Sequence, residues 1–212
     1  MTMANPGQKA DRQLVINRRR LIQGGLASVT VTVAGCASPP PTADLPRLTF
    51  EQLRPIRFDV AQLEVRNNYQ PKFFPPHVEH KLVQPPYEAM DLWAKRRIQP
   101  VANNGEALLV IHDASMTEQQ VAGGKRLGPI TVSQPVYEYF ANFAVRMDAV
   151  SPFWDLSGFA EARAEGRLRL DDQSTLDQRE RALIDLMDLT IADLDRAFVA
   201  QLQRNLGALI AA

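Results

Sequence analysis

The sequence predicts an α+β fold: a two-layer sandwich in the order β-α-β-β-β-α, with a mostly antiparallel sheet and a long C-terminal helix. Three observations carry this. From Val136 to Val150, apolar Tyr137, Tyr139, Ala141, Phe143, Val145, Met147 and Ala149 alternate with Glu138, Asn142, Arg146 and Asp148, the period of a strand with one wet face. From Gly158 to Leu170 small and apolar residues alternate with Glu161, Arg163, Glu165, Arg167 and Arg169, the pattern of an antiparallel partner whose charges pair across the hairpin. Finally, Leu183, Met187, Ile191, Leu194, Phe198, Leu202, Leu206 and Leu209 recur at threes and fours, one stripe of a long helix.

The remaining elements follow in chain order. Ile56 to Val65 alternates but changes phase between Val60 and Ala61, which predicts one strand with a bulge. Asn67 to Pro86 holds prolines at 71, 75, 76, 85 and 86, too many for a regular element. It predicts a long ordered loop whose Phe73, Phe74 and Val78 pack on the sheet. Tyr87 to Gln99 is bracketed by prolines, aligns Met90, Trp93, Ala94 and Ile98 on one face, and gathers Lys95, Arg96 and Arg97 in its last turn, so it predicts a helix with Trp93 in the core. The apolar run from Ala107 to Ala114 predicts a central strand buried on both faces. Met116 to Pro135, with Gly123, Gly124, Gly128 and Pro129 and no clear period, predicts a loop with one short helical turn; Gly123-Gly124-Lys125 lacks the rest of a phosphate loop. Thr175-Leu176-Asp177-Gln178 fits a capping box opening the last helix. That helix is longer than a small sheet needs, so its distal end is expected either to meet another protein or to pack along the whole sheet.

The first 35 residues have a different character. Arg18, Arg19 and Arg20 precede thirteen residues, Leu21 to Val33, diluted by Gln23, Gly24, Gly25, Ser28, Thr30 and Thr32. A spanning helix needs roughly 20 predominantly apolar residues, so the segment reads as a signal peptide rather than an anchor. Val33-Ala34-Gly35-Cys36 resembles the lipobox of bacterial lipoproteins, and Arg18-Arg19 with Leu21 and Ile22 resembles a twin-arginine export signal. The resemblance implies that residues 1–35 are removed and that Cys36 carries a diacylglycerol and an N-acyl chain. Residues 36–47, with prolines at 39, 40, 41 and 46, then form an extended tether, and 48–212 a single α+β domain. By analogy with lipoprotein sorting, Ala37 in place of Asp implies an outer rather than an inner membrane, with the domain facing the periplasm.

Five of the 24 basic residues but only Asp11 of the acidic ones precede Cys36, so the chain from Cys36 onward is mildly acidic, at about −4, and lacks the footprint of a nucleic-acid binder. Cys36 is the only cysteine, so no internal disulfide can form, and lipid on it would leave no thiol for catalysis or metal binding.

Two segments attract a functional reading. His77-Val78-Glu79-His80 offers two imidazoles and a carboxylate, with His112 and Asp113 as distant company; zinc or a metal-dependent hydrolase is one reading and a structural loop the other, which the extended spacing favours. His112-Asp113 also reads as a polar strand end, since no serine or cysteine nucleophile stands in a recognisable setting. The hairpin tip Ser151–Ser157 carries Phe153, Trp154 and Leu156, unusual residues for a turn. They either fold back over the sheet edge, the favoured arrangement, or stay exposed as an interaction site.

The lipobox, proline-rich tether, Trp in the first helix and long meander before a terminal helix resemble small envelope lipoproteins. Among these are the auxiliary lipoproteins of lipid-transport ABC systems and the lipopolysaccharide-assembly lipoprotein. Pro75-Pro76-His77-Val78-Glu79-His80 followed by Trp93-Ala94 also resembles a segment of uncharacterised proteobacterial lipoproteins. These likenesses imply a lipid-anchored, non-enzymatic accessory or assembly factor without a cofactor beyond its lipid, working with an envelope protein partner.

Overall fold

A computed structural model describes residues Leu45–Leu127 and Ile130–Ala211; Arg18, Arg19, Cys36 and the tether to Asp44 lie outside the described residues. Ile56–Phe58 (β1) and Gln62–Asn67 (β2) are followed by Pro86–Arg97 (α1), Ile98–Pro100 (β3), Glu106–Leu127 (β4), Ile130–Ser151 (β5), Leu156–Asp171 (β6) and Leu176–Asn205 (α2). The main sheet has the order β2-β4-β5-β6, antiparallel except that β2 runs parallel to β4. Both helices cover one face, giving the predicted α+β two-layer sandwich with its long terminal helix.

Three local readings are corrected. The predicted first strand is two strands in two sheets: β1 pairs in parallel with β3, and β2 with β4. The chain crosses between them at Asp59–Ala61, where Asp59 N–H donates to the Leu209 carbonyl at 2.7 Å and Ala61 N–H to that of Asn104 at 2.8 Å. The phase change between Val60 and Ala61 is therefore a crossover, not a bulge. The true bulge lies at His112, where the β4–β5 register slips between Ile111 and Asp113. Second, the helix expected to reach Gln99 ends at Arg97, because Ile98, 2 % exposed, is drawn into β3 beside Ile56.

Third, the expected loop at Met116–Pro135 is strand. β4 continues to Leu127 and pairs residue by residue with β5 from Ile130. β6 accompanies β5 only from Val136 onward and β2 accompanies β4 only to Ile111, so the end of the hairpin projects as a two-stranded ribbon. Gln119, Gln120, Ala122 and Gly124 are exposed. Where neighbouring residues such as Gln119 and Gln120 are both exposed, nothing imposes an alternation of apolar and polar residues, and the period-2 signal vanishes.

Large side chains of β5 face small ones of β6: Phe143 opposes Ala164, Val145 Ala162 and Met147 Ala160. Over this surface α2 lays its stripe, and Leu183, Met187, Ile191, Leu194, Phe198 and Leu202 are all at most 5 % exposed. Each such apolar side chain contributes about 1.5–3 kcal/mol of burial. Thr175 and Gln178 form the predicted capping box. At the far end Leu206 and Leu209 are fully buried, Ile210 bridges to Phe58, and Ala211 N–H donates to the Arg57 carbonyl at 2.9 Å. The distal end is thus consumed by its own domain, and the expectation of a free end for a partner gives way to packing along the whole sheet.

Trp93 is fully buried, edge-on to Phe198 at 5.6 Å between ring centroids, and donates from Nε1 to Asp195 Oδ1 at 3.0 Å. Arg97 meets the same carboxylate with both of its forks, Nε to Oδ1 at 2.7 Å and Nη2 to Oδ2 at 3.1 Å, and donates from Nη1 to the Arg54 carbonyl. One aspartate thereby joins α1, α2 and the segment before β1.

β4 is central, but only one of its faces lies under helices. Ala107, Leu109 and Ile111 point inward, whereas Val110, 7 % exposed, stands between Arg66 and Arg146 on the neighbouring strands, whose aliphatic stems flank it. Glu138, on the same outer face, is 4 % exposed under Arg167 (Nη2 to Oε1, 2.6 Å) and Arg169 rather than under apolar core. The Arg167 hydrogen bond, reinforced by Arg169 and opposed by desolvation, holds the Glu138 carboxyl below its usual range. A folded value below the unfolded one means stabilisation present above the unfolded value and lost as pH falls through the folded one. The stability difference between the parent chain and Glu138→Gln should therefore be full at neutral pH and shrink below about pH 4.3. Chemical denaturation at pH 7 and pH 3 checks it, and an unchanged difference would refute the linkage.

Candidate functional site

The β5–β6 turn presents its aromatic pair outward. Phe153 is 70 % exposed and Trp154 48 %, their rings edge-to-face at 5.2 Å. Trp154 Nε1 donates to Asp59 Oδ2 at 2.6 Å, tying the tip to the β1–β2 crossover, and Asp155 takes a positive φ of 46° to close the turn. Leu156 packs partly against the core. The favoured fold-back is thus found for Leu156, and in part for Trp154, while Phe153 stays in solvent. Asp59 holds the indole at the β1–β2 crossover, and the Phe153 ring stands edge-on to it in solvent.

The proline-rich loop docks on β4 just beyond β2. Val78 N–H donates to the Met116 carbonyl at 3.0 Å, Glu118 N–H to that of Pro76 at 2.8 Å, and His77 bridges to Thr117. Val78 is buried as expected; Phe73 and Phe74, expected on the sheet, are 70 % and 61 % exposed, their rings lying against His80 and His77 respectively. Glu79 is fully buried in a short 3₁₀ turn, Glu79–Lys81. Its Oε1 accepts from the Tyr69 hydroxyl and lies 3.1 Å from His77 Nδ1. Oε2, like His80 Nδ1, has no partner among the described residues. Burial and the Glu79 hydrogen bond push the Tyr69 hydroxyl well above its usual range, so it acts here as a donor that holds the loop down.

His112 does not join this group. It lies on the helix-free face, lining open cavities with Arg163, Ala144 and, in one of them, Glu161. Among the described residues no three His, Cys, Asp or Glu side chains stand together as a metal-binding group. Asp113 is spent locally, its Oδ1 accepting from Ser115 N–H at 3.0 Å. Another cavity, about 550 Å³ and open, has Glu64, Glu106 and Asp148 on its wall. Two of these carboxylates are already engaged, Glu64 by Arg66 at 2.6 Å and Asp148 by Arg146 at 2.8 Å.

Sequence reasoning did not reach the Tyr69–Glu79 pair or the exposure of Phe73 and Phe74, since no period operates in a loop with this many prolines. No protein-family model and no curated protein sequence matches the chain. Among the described residues no helix is long and apolar enough to cross a membrane.

Proposed function

We propose that this chain is a lipid-anchored lipoprotein of the bacterial envelope, facing the periplasm, which serves as a non-enzymatic accessory or assembly factor for an envelope complex. The anchor is the lipid on Cys36 that the Val33-Ala34-Gly35-Cys36 lipobox implies, and the outer membrane is its site. The observation that carries the partner-binding part of this reading is the hairpin tip. A pair of exposed aromatics on a turn, one of them pinned by a hydrogen bond to another element, is a preorganised apolar contact, the kind of anchor that dominates protein interfaces. Tat or Sec export both deliver such a protein, and Arg18 and Arg19 favour the former.

The test is photo-crosslinking in the membrane, with a photoreactive residue in place of Phe153 in the lipidated protein, followed by mass spectrometry. A discrete adduct with an envelope protein is expected, and Trp154→Ser should diminish it. Absence of any adduct at position 153, with the protein membrane-bound, would remove the tip from the reading. Cys36→Ser should release the chain from the membrane fraction.

A further inference from the structure

At the other end of α2, beside the base of the projecting β4–β5 ribbon, the domain carries a second exposed apolar group. Phe73 (70 % exposed), Phe74 (61 %), Val83 (44 %) and Leu176 (81 %) are its members. Val83 and Leu176 adjoin: Val78, Lys81 and Leu82 of the loop share a cavity of about 270 Å³ with Leu176, Arg179, Glu180 and Leu183 of α2, and Val83 N–H donates to Glu180 Oε1 at 2.9 Å; Phe73 and Phe74 stand on the same loop, their rings against His80 and His77. Where the chain enters the domain decides what this region meets. Leu48 and Gln84 clamp each other in both directions, Leu48 N–H to Gln84 Oε1 at 2.7 Å and Gln84 Nε2 to the Leu48 carbonyl at 3.0 Å. The entry point is therefore fixed beside Val83. Leu45 follows Cys36 by nine residues, which extend to at most about 30 Å.

We infer that the Phe73, Phe74, Val83 and Leu176 surface rests on the phospholipid bilayer, inserting its side chains among the headgroups. This inference rests on the Cys36 anchor proposed above. A leash of at most about 30 Å, joined to the domain beside these exposed apolar side chains, keeps them within reach of lipid, and aromatic and aliphatic side chains partition into the headgroup boundary. Arg47, Lys72 and Lys81 are exposed at this end, as are Asp171 and Asp172 in the turn before α2. The signs nearly offset, so apolar insertion more than attraction to anionic lipid carries the contact. α2 then acts as a strut. Leu176 opens it at the lipid end, and Asn205 closes it beside the β5–β6 hairpin, donating from Nδ2 to the Phe159 carbonyl at 2.9 Å. Its 30 residues, about 45 Å, hold the Phe153–Trp154 tip away from the bilayer.

The test uses the lipidated chain in phosphatidylcholine vesicles with and without brominated acyl chains. Tryptophan placed by Phe74→Trp should be quenched by the bromolipid, whereas the parent chain, with buried Trp93 and distant Trp154, should change little. Membrane association without quenching at position 74 overturns the inference and leaves the anchor standing; a signal that follows protein concentration instead of bromine makes a second copy the occupant and overturns it as well. Independently of the anchor, Cys36→Ser chain should still bind vesicles weakly, and Phe73→Ser with Phe74→Ser should lower that partition by at least about tenfold. Equal partition with unchanged thermal unfolding also refutes the inference. Absence of lipid on Cys36 by intact mass is the failure of the anchor reading alone.

Discussion

Asp195→Ala is expected to lower the unfolding free energy by about 3–5 kcal/mol, the loss seen when one member of a buried pair is removed and the other stays behind. The carboxylate is 10 % exposed and its Arg97 partner 13 %, and the same oxygen that accepts from Arg97 Nε also accepts from Trp93 Nε1. Alanine leaves a guanidinium and an indole N–H without their acceptor in a site that water barely reaches. Asp195→Asn retains an acceptor for one donor and should lose less. The combination Arg97→Met with Asp195→Leu removes both charges and should be less damaging than Asp195→Ala alone, with Trp93 Nε1 and the Arg54 carbonyl left without these partners. Denaturant unfolding of the four proteins measures this, and the Arg97–Asp195 coupling follows from the corresponding alanine cycle. A loss below about 1 kcal/mol for Asp195→Ala would show that water replaces the carboxylate and that the triad is not a structural joint.

What the sequence announced and what it concealed divide along burial. β5, β6 and α2 were legible because each has one face under the core and one in water, which imposes a period on the side chains. Along the ribbon Gln119 and Gln120, adjacent in sequence, are both exposed, so no such asymmetry operates there, and Gly123, Gly124, Gly128 and Pro129 predicted a loop. Pro135, opposite Ala122, falls one residue outside the stretch that β6 pairs, which is where a strand tolerates proline. β1 and β3 are three residues each, below the length at which alternation can be read, and their pairing depends on contacts more than forty positions apart. At the hairpin tip the residues were identifiable from composition alone, because Phe and Trp in a turn are anomalous; their exposure was not, because it depends on Asp59 arriving from another element. The Glu79 site shows the converse. His77, Glu79 and His80 stood out as chemistry-bearing residues, and Tyr69, ten positions earlier, supplies the bond that explains the buried carboxylate.

The second large effect lies where α2 crosses β6. Gly166 opposes Ala141, and a Cβ built on it would stand 2.0 Å from Thr190 Oγ1 and 2.9 Å from Leu186 Cδ1. Thr190 cannot easily yield: it is 3 % exposed, and its hydroxyl donates to the Leu186 carbonyl at 2.6 Å. In an unencumbered strand, alanine in place of glycine gains about 0.5–1 kcal/mol through lower chain entropy. Here the sign should reverse. Gly166→Ala is expected to destabilise by about 1–3 kcal/mol, and Gly166→Val by more, because the helix must lift off the sheet along a stripe that seats Leu183, Met187 and Ile191. Removing the obstacle separates crowding from other causes. Thr190→Ala should restore most of the loss in Gly166→Ala, since the hydroxyl it deletes is the group struck first and its hydrogen bond is worth only about 1 kcal/mol net. Thr190→Ser, which keeps the hydroxyl, should restore far less. Midpoints of thermal or urea unfolding for Gly166→Ala, the two Thr190 singles and the two doubles decide the matter. Equal rescue by alanine and serine would move the cause from the Thr190 oxygen to the backbone of β6, and the close approach of helix and strand would no longer explain why glycine stands at this position.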